Sequence, residues 1–258
     1  MNKSTKLNFS GQAIYIGLDT HLKNWRITIF VGETFYKVFS QDPNPITLLK
    51  YLKRNFPNGD YYSAYEASFC GYKIHRDLIR LGIKNMVINP ADIPTTDKER
   101  KQKEDSRDSR KIAKQLSQNA LTPIYVPNIE VEGDRQLIRY RKMLTKELTR
   151  TKNRVKSHLY YHGIEIPSQF SGKKHWSKKF IEWLKNLEFE TESSKKTLEG
   201  HLEMAEMLRK RQYLTNKEIR KLSNKICYKE NCELLISVSG VGLDINAFFN
   251  RDRRHRAF

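Results

Sequence analysis

No run in this chain of 258 residues is apolar over the ~20 residues that a membrane-spanning helix needs, and no signal peptide precedes Ala13. A cytoplasmic, bacterial-type protein is therefore expected rather than a membrane protein. Cysteine is scarce. Cys70, Cys227 and Cys232 are odd in number and scattered, so a disulfide framework is excluded and reduced thiols are expected. Cys227 and Cys232 lack the paired spacing of a zinc site, and His158 with His162, four apart, have no thiol or carboxylate neighbour in sequence. Glycine-rich phosphate loops are wanting too, which tells against a duplicated, actin-like ATPase. Acid is in short supply: 29 Asp+Glu face 48 Lys+Arg, giving a net charge of +19. Such an excess draws polyanions through phosphate contacts that release counterions. Residues 1–130 carry 20 basic and 13 acidic side chains (+7), and residues 131–258 carry 28 and 16 (+12), so the second part is the expected grip on nucleic acid.

What is present is regular alternation. AIYIGLD, WRITIFV and TFYKVFS read as three strands joined by short turns. Pro45 opens a helix, ITLLKYLKRNF, and Pro57-Asn58-Gly59 closes it. A strand, YYSAYEA, follows. Gly71 then leads into YKIHRDLIRLG, a helix with Ile74, Leu78 and Leu81 on one face, before the strand KNMVINP. The order β-β-β-α-β-α-β-α puts strands one and four side by side in a mixed sheet, where ligands gather at the carboxyl ends of strands.

Four carboxylates fall where that sheet would collect them. Asp19 and Glu66 close the first and fourth strands, and Asp105 and Asp108 lie three apart at the start of a helical pattern, KEDSRDSRKIAKQL. Asp105, Asp108, Ile112 and Leu116 share a stripe, so its apolar half would anchor the helix while its acidic half overhangs the strand ends. Each acid taken singly reads as a solvated charge or a helix cap. The four together point to a divalent metal held against a phosphate. His21, two residues after Asp19, reads as a turn histidine before it reads as a phosphate contact.

GLDTH after a strand, YEAS about forty-five residues later, and NPADIPTTDKERKQKEDSRDSRKIA resemble the DEDD transposases of bacterial insertion sequences, which are similar to Piv-type DNA invertases. The resemblance runs from Ala13 to Val241. It implies a RuvC-like catalytic domain using Mg²⁺, with Mn²⁺ as a substitute, and a bridge RNA that pairs with donor and target DNA. By that match Asp19, Glu66, Asp105 and Asp108 are the catalytic, metal-holding tetrad. Glu104 departs from the threonine that the family carries before its third acid.

Beyond Pro127 the character changes. Residues 134–162 form a long helical pattern whose Leu137, Leu144, Leu148, Thr151 and Val155 approximate a heptad seam. Arg139, Arg141, Lys142, Lys146, Arg150, Lys152, Arg154 and Lys156 flank the seam and are expected to contact a nucleic-acid backbone. Residues 163–176 read as a linker. A second helix over 193–226 carries Leu198, Leu202, Ala205, Leu208, Ile219, Leu222 and Ile226, and either returns antiparallel to the first or joins a second subunit; a homodimer or higher oligomer through this arm is expected. LLISVSGVG resembles the opening of the family's C-terminal domain, but DINAFFNRD follows Gly242 and Leu243 directly, so the family's helix and nucleophilic-serine region are expected to be missing. None of Ser68, Ser106, Ser109, Ser237 or Ser239 stands in that serine's context.

The fold class expected is α/β: a ribonuclease-H-like (RuvC-like) mixed sheet over 10–127, a basic helical coiled-coil arm over 128–233, and a truncated helical segment over 234–258. The function expected is that of an insertion-sequence transposase, binding DNA and cleaving its strands with metal. A stand-alone junction-resolving nuclease and a non-catalytic nucleic-acid-binding remnant are the alternatives.

Overall fold

The computed structural model describes residues 8–90, 105–170 and 176–238, which fall into two units dividing between Val126 and Pro127. In the first unit, five strands form one mixed sheet in the order β3-β2-β1-β4-β5: β1 Ala13–Thr20, β2 Trp25–Val31, β3 Thr34–Gln41, β4 Asp60–Glu66 and β5 Lys84–Ile88. The first three run as an antiparallel meander, and β1, β4 and β5 are parallel.

Period-two alternation sorts the two faces. Ile14, Ile16 and Leu18 of β1 point to one side, with Ile27 and Ile29 of β2 and Tyr65 of β4. They are covered by helices α1 (Pro45–Asn55, through Leu48 and Leu52) and α2 (Lys73–Arg80, through Leu78). All these side chains are fully buried, and each aliphatic one contributes about 1.5–3 kcal/mol on leaving water. The Asn44 side chain caps α1 by accepting from the Ile46 N–H, and Pro45 takes the first helical position.

The opposite face carries Tyr15, Gly17, Tyr62, Ala64, Met86 and Ile88. Helix α3 (Asp105–Ser117) lies on it through Ile112, Ala113 and Leu116. Its approach is close because Gly17 has no side chain: a Cβ there would lie 2.0 Å from the Ser109 carbonyl oxygen and 2.5 Å from the Ala113 nitrogen. A buried hydrogen bond between Thr28 Oγ1 and Ser109 Oγ, 2.9 Å, fixes the helix laterally.

The second unit is a helical hairpin. Helix α4 (Ile129–Tyr161) and helix α6 (Glu192–Ser223) run antiparallel, as Arg141 Nε donating to Asn216 Oδ1 (3.1 Å) and Gln212 Nε2 donating to Thr145 Oγ1 (2.8 Å) establish. The seam residues Leu144, Leu148, Thr151 and Val155 are all buried, and Leu144 and Leu148 pack on Ala205 and Leu208. Helix α4 begins at Ile129, five residues before the periodicity suggests, because the Asn128 side chain accepts from the Val131 N–H and Glu130 and Glu132 complement the helix start.

One expectation is corrected here. Past the stretch expected as a linker, α5 (Lys178–Lys185) is capped by Ser177, and its Phe180 and Leu184 form a small core with Val155, Leu159, Leu198 and Phe170. The second long helix stops at Ser223, and a separate helix α7 (Ile226–Ile236) follows, leaving Ile226 almost wholly exposed. The α7 side chains Tyr228 and Cys232 pack against Ile138 and Ile219. The segment expected to be a truncated C-terminal domain, including Gly240, Gly242 and DINAFFNRD, lies from residue 239 onward outside the described residues.

Candidate active site and nucleic-acid interface

Asp19 is the penultimate residue of β1, and Glu66 the last of β4. The two strands are parallel and in register as far as Leu18 beside Tyr65, so the next step sets Asp19 beside Glu66. Neighbouring strands are about 4.8 Å apart, and in-register residues share a face. That face is the one bearing Gly17 and Ala64, hence the face covered by α3.

The direction of α3 follows from its contacts. Ser109 and Ala113 meet β1 at Gly17, whereas Ile112 and Leu116 lie in the cluster with Tyr15 and Tyr62, nearer the strand starts. The helix therefore runs antiparallel to β1, and its first turn, with Asp108 half-buried, lies toward the ends that carry Asp19 and Glu66. Asp105 is the first residue of α3; its side chain lies outside the described residues, as does Glu104. Among the described residues, no three His, Cys, Asp or Glu side chains come close enough together to hold a metal ion. The structure thus sets Asp19 and Glu66 side by side and turns the start of α3 toward them.

His21 sits in the β1–β2 turn, where its N–H donates to the Asn24 carbonyl, and its Nδ1 lies 3.4 Å from Asp19 Oδ1. It is a turn histidine whose ring rests on the first carboxylate. Sequence reasoning missed Arg26. It pairs directly with Asp19 across β1–β2 and with Ser40 across β2–β3, and its guanidinium donates to Ser40 Oγ at 3.0 Å. Directly opposed residues in antiparallel strands share a face, so Ser40, Arg26, Asp19 and Glu66 form one polar row across four strands. The alternation in WRITIFV could have shown that Arg26 faces away from Trp25 and Ile27, but only the strand register makes it the neighbour of Asp19.

On the hairpin, the eight α4 residues expected to contact nucleic acid separate by exposure. Arg139, Lys142, Lys146, Arg150 and Arg154 are exposed, whereas Arg141, Lys152 and Lys156 are half-buried along its edges. Arg141 braces the hairpin through Asn216, and Arg150 pairs with Glu147. The seam that suggested a second subunit is filled by α6 of the same chain.

A model of DEDD transposases, of the IS110 type, matches residues 42–162 of this chain. Over that stretch the chain is similar to the DEDD transposases. The transposase for insertion sequence element IS1533 of Leptospira borgpetersenii is 25% identical over 232 residues, 88% of this chain and 66% of that protein. Two putative transposases of Sinorhizobium fredii are similar over shorter spans: y4qE is 29% identical over 62% of this chain and 40% of its own length, and y4rJ 31% identical over 59% and 43%. The chain spans between two fifths and two thirds of the length of these relatives. The family match covers Glu66, Asp105, Asp108 and all of α4, and begins after Asp19. Among the described residues no helix is long and apolar enough to cross a membrane.

A divalent metal suits the donors that the sheet sets together. Mg²⁺ takes hard oxygen ligands and is usually bound through one or two carboxylates, leaving its other positions to water and phosphate oxygens. Asp19 and Glu66, on one face at adjacent strand ends, supply that pair.

Proposed function

We propose that this protein is a transposase of an insertion sequence that cuts DNA strands with the help of Mg²⁺, or of Mn²⁺ in its place. Asp19, Glu66, Asp105 and Asp108 would hold the metal, and the basic face of α4 would hold the nucleic acid. The observation that carries this reading is the juxtaposition of Asp19 and Glu66 at the ends of parallel β1 and β4, with the first turn of α3 directed toward them. When bound, the metal neutralises charge on a phosphate and lowers the pKa of a coordinated water, supplying a nucleophile at neutral pH. The chain's own residues do the positioning. Asp19 and Glu66 fix the ligand set on rigid strands, and His21 steadies Asp19 from the turn. Arg26, tethered by Ser40, presents a guanidinium beside that row, where it would orient a phosphate oxygen of the strand being cut.

Partners on this reading are the DNA ends of the element, the target DNA, and a bridge RNA that pairs with both; the site of action is the bacterial cytoplasm. The test is cleavage of labelled element ends by the pure chain, with and without Mg²⁺ and a transcript of the element's non-coding flank. Asp19→Asn and Glu66→Gln are each expected to abolish cleavage and to weaken Mn²⁺ binding in calorimetry. Cleavage that survives both substitutions, or that proceeds equally in EDTA, would overturn the reading.

A further inference from the structure

The basic residues of α4 do not form one uniform surface. One edge of the hairpin is different in kind. There Lys152 is half-buried, with its Nζ 5.2 Å from the centre of the Trp176 ring. Trp176 in turn packs on the hairpin core of Leu144, Leu148, Ala205 and Leu208 and meets the Phe180 ring edge-on at 5.5 Å. Its backbone has φ +66°, a left-handed conformation that bulky residues avoid, so the fold holds the indole in place against local preference. Lys156 lies one turn on along the same helix. Arg209 comes from α6: the hydrogen bonds joining residue 141 to 216 and 145 to 212 set residue 205 opposite Lys152, and Arg209 follows one turn later.

Among the described residues, neither Lys152, Lys156 nor Arg209 makes a hydrogen bond or ion pair with an acid. Burial lowers the Lys152 ammonium below the ordinary lysine range, and the charges of Arg209 and Lys156 lower it further. A solvated basic surface spreads its charges and intersperses acids; here three cations gather, one of them half-desolvated and steered by an indole. Like charges so placed repel unless an anion lies between them.

We infer that the edge where Lys156 and Arg209 flank Lys152 beside Trp176 is a binding site for a backbone phosphate of nucleic acid. This rests on the reading above, that the chain handles DNA, and adds Arg209 and Trp176 to it. A polymer fits better than a free phosphate ion because exposed Lys142 and Lys146 continue the basic track along α4. From Lys142 to Lys156 the helix rises about 21 Å, the axial length of about six successive phosphates of one strand.

The test uses the full 258-residue chain and a 30-nucleotide oligonucleotide, with affinity measured against salt. The slope of log affinity on log salt is expected to fall by about 0.7–0.9 for Lys152→Ala and again for Arg209→Ala, while Lys50→Ala on the exposed side of α1 leaves it unchanged. In the wild-type chain, acetylation of Lys152 by acetic anhydride, read by mass spectrometry, is expected to be suppressed by the oligonucleotide and not by an equal concentration of inorganic phosphate. Slopes that match that of Lys50→Ala, or Lys152 labelled equally with and without oligonucleotide, would overturn the site while leaving the proposed function standing. Equal protection by inorganic phosphate would overturn its assignment to a polymer. A wild-type chain with no affinity for nucleic acid would overturn both readings.

Discussion

Gly17→Ala is the sharpest perturbation that the structure offers. The added Cβ would lie 2.0 Å from the Ser109 carbonyl oxygen, whereas carbon and oxygen in ordinary close contact are about 3.3 Å apart, so α3 must retreat by about 1.3 Å. Nothing at that contact can yield by rotating, since the two nearest atoms, Ser109 O and Ala113 N, are backbone. Overpacking of this kind costs about 1–3 kcal/mol. The retreat also breaks the 2.9 Å bond between Thr28 and Ser109, and a buried hydroxyl left unsatisfied costs about another 1–3 kcal/mol. A loss of about 2–6 kcal/mol is expected in urea unfolding, with the midpoint falling by about 1–3 M at a slope of about 2 kcal/mol per M. The same movement carries Asp105 and Asp108 away from Asp19 and Glu66, and a misplacement of about 1 Å costs roughly 100-fold in rate. Cleavage should therefore fall by about that factor even under conditions where the variant remains folded. Gly32→Ala is the control: its φ of +56° makes alanine unfavourable by about 1–2 kcal/mol, but open space surrounds it. If Gly17→Ala were no less stable than Gly32→Ala and cut DNA at the wild-type rate, the seating of α3 on β1 could not be what positions the site.

Arg26→Ala is expected to raise KM for the DNA end more than it lowers kcat, and Arg26→Lys to restore only part of the loss, because a lysine cannot hold Ser40 and a phosphate in one planar fork; equal effects on cleavage and on folding would reduce Arg26 to a sheet brace. Leu144→Ala should destabilise the hairpin by about 2–5 kcal/mol with a Tm independent of protein concentration, since its partner is α6 of the same chain; a Tm that climbs with concentration would restore the intersubunit seam. Tyr228→Phe removes a 3.0 Å hydrogen bond to Asp134 Oδ2 and should cost about 1.5–3 kcal/mol in urea unfolding. His201 has its pKa lowered by burial, and further by His158 and Arg154, so the native chain resists the proton that the unfolded chain accepts. Its contribution to stability is present above the ordinary histidine pKa of 6.5 and is lost as pH falls below it; His201→Gln should flatten the acid side of a Tm-against-pH profile, and an unaltered profile would refute the assignment.

The sheet was legible because two signals agreed. The alternation in AIYIGLD, WRITIFV and TFYKVFS fixed which residues face the α1/α2 side, and the proline and glycine around ITLLKYLKRNF fixed the helix between the third and fourth strands. Parallel pairing of β1 with β4 then followed from topology, and with it the adjacency of Asp19 and Glu66. The close approach of α3 was not legible. A glycine in a strand reads as a weak point until a second backbone is seen against it, and nothing in GLDTH says that a serine carbonyl ninety residues on will fill the space. Arg26 was hidden for a related reason, since its importance lies in strand register and register is settled by the turn over 21–24.

On the hairpin, periodicity found the apolar seam but not its owner. A heptad pattern records only that a helix face is dry; whether the covering helix comes from the same chain depends on a connection that can reverse direction. That reversal is built in and just after the stretch that reads as a linker. Phe170, Phe180, Leu184 and the ring of Trp176 make a small core at the turn of the chain, and each sits in a segment too short or too polar to stand out as a helix. Because this core holds Trp176 against α4, it also sets an indole against Lys152, and so separates that lysine from the exposed Lys142 and Lys146. A list of basic residues in sequence order cannot make that separation. The charge was readable from composition, but the edge on which it concentrates exists only after α5 and α6 fold back against α4.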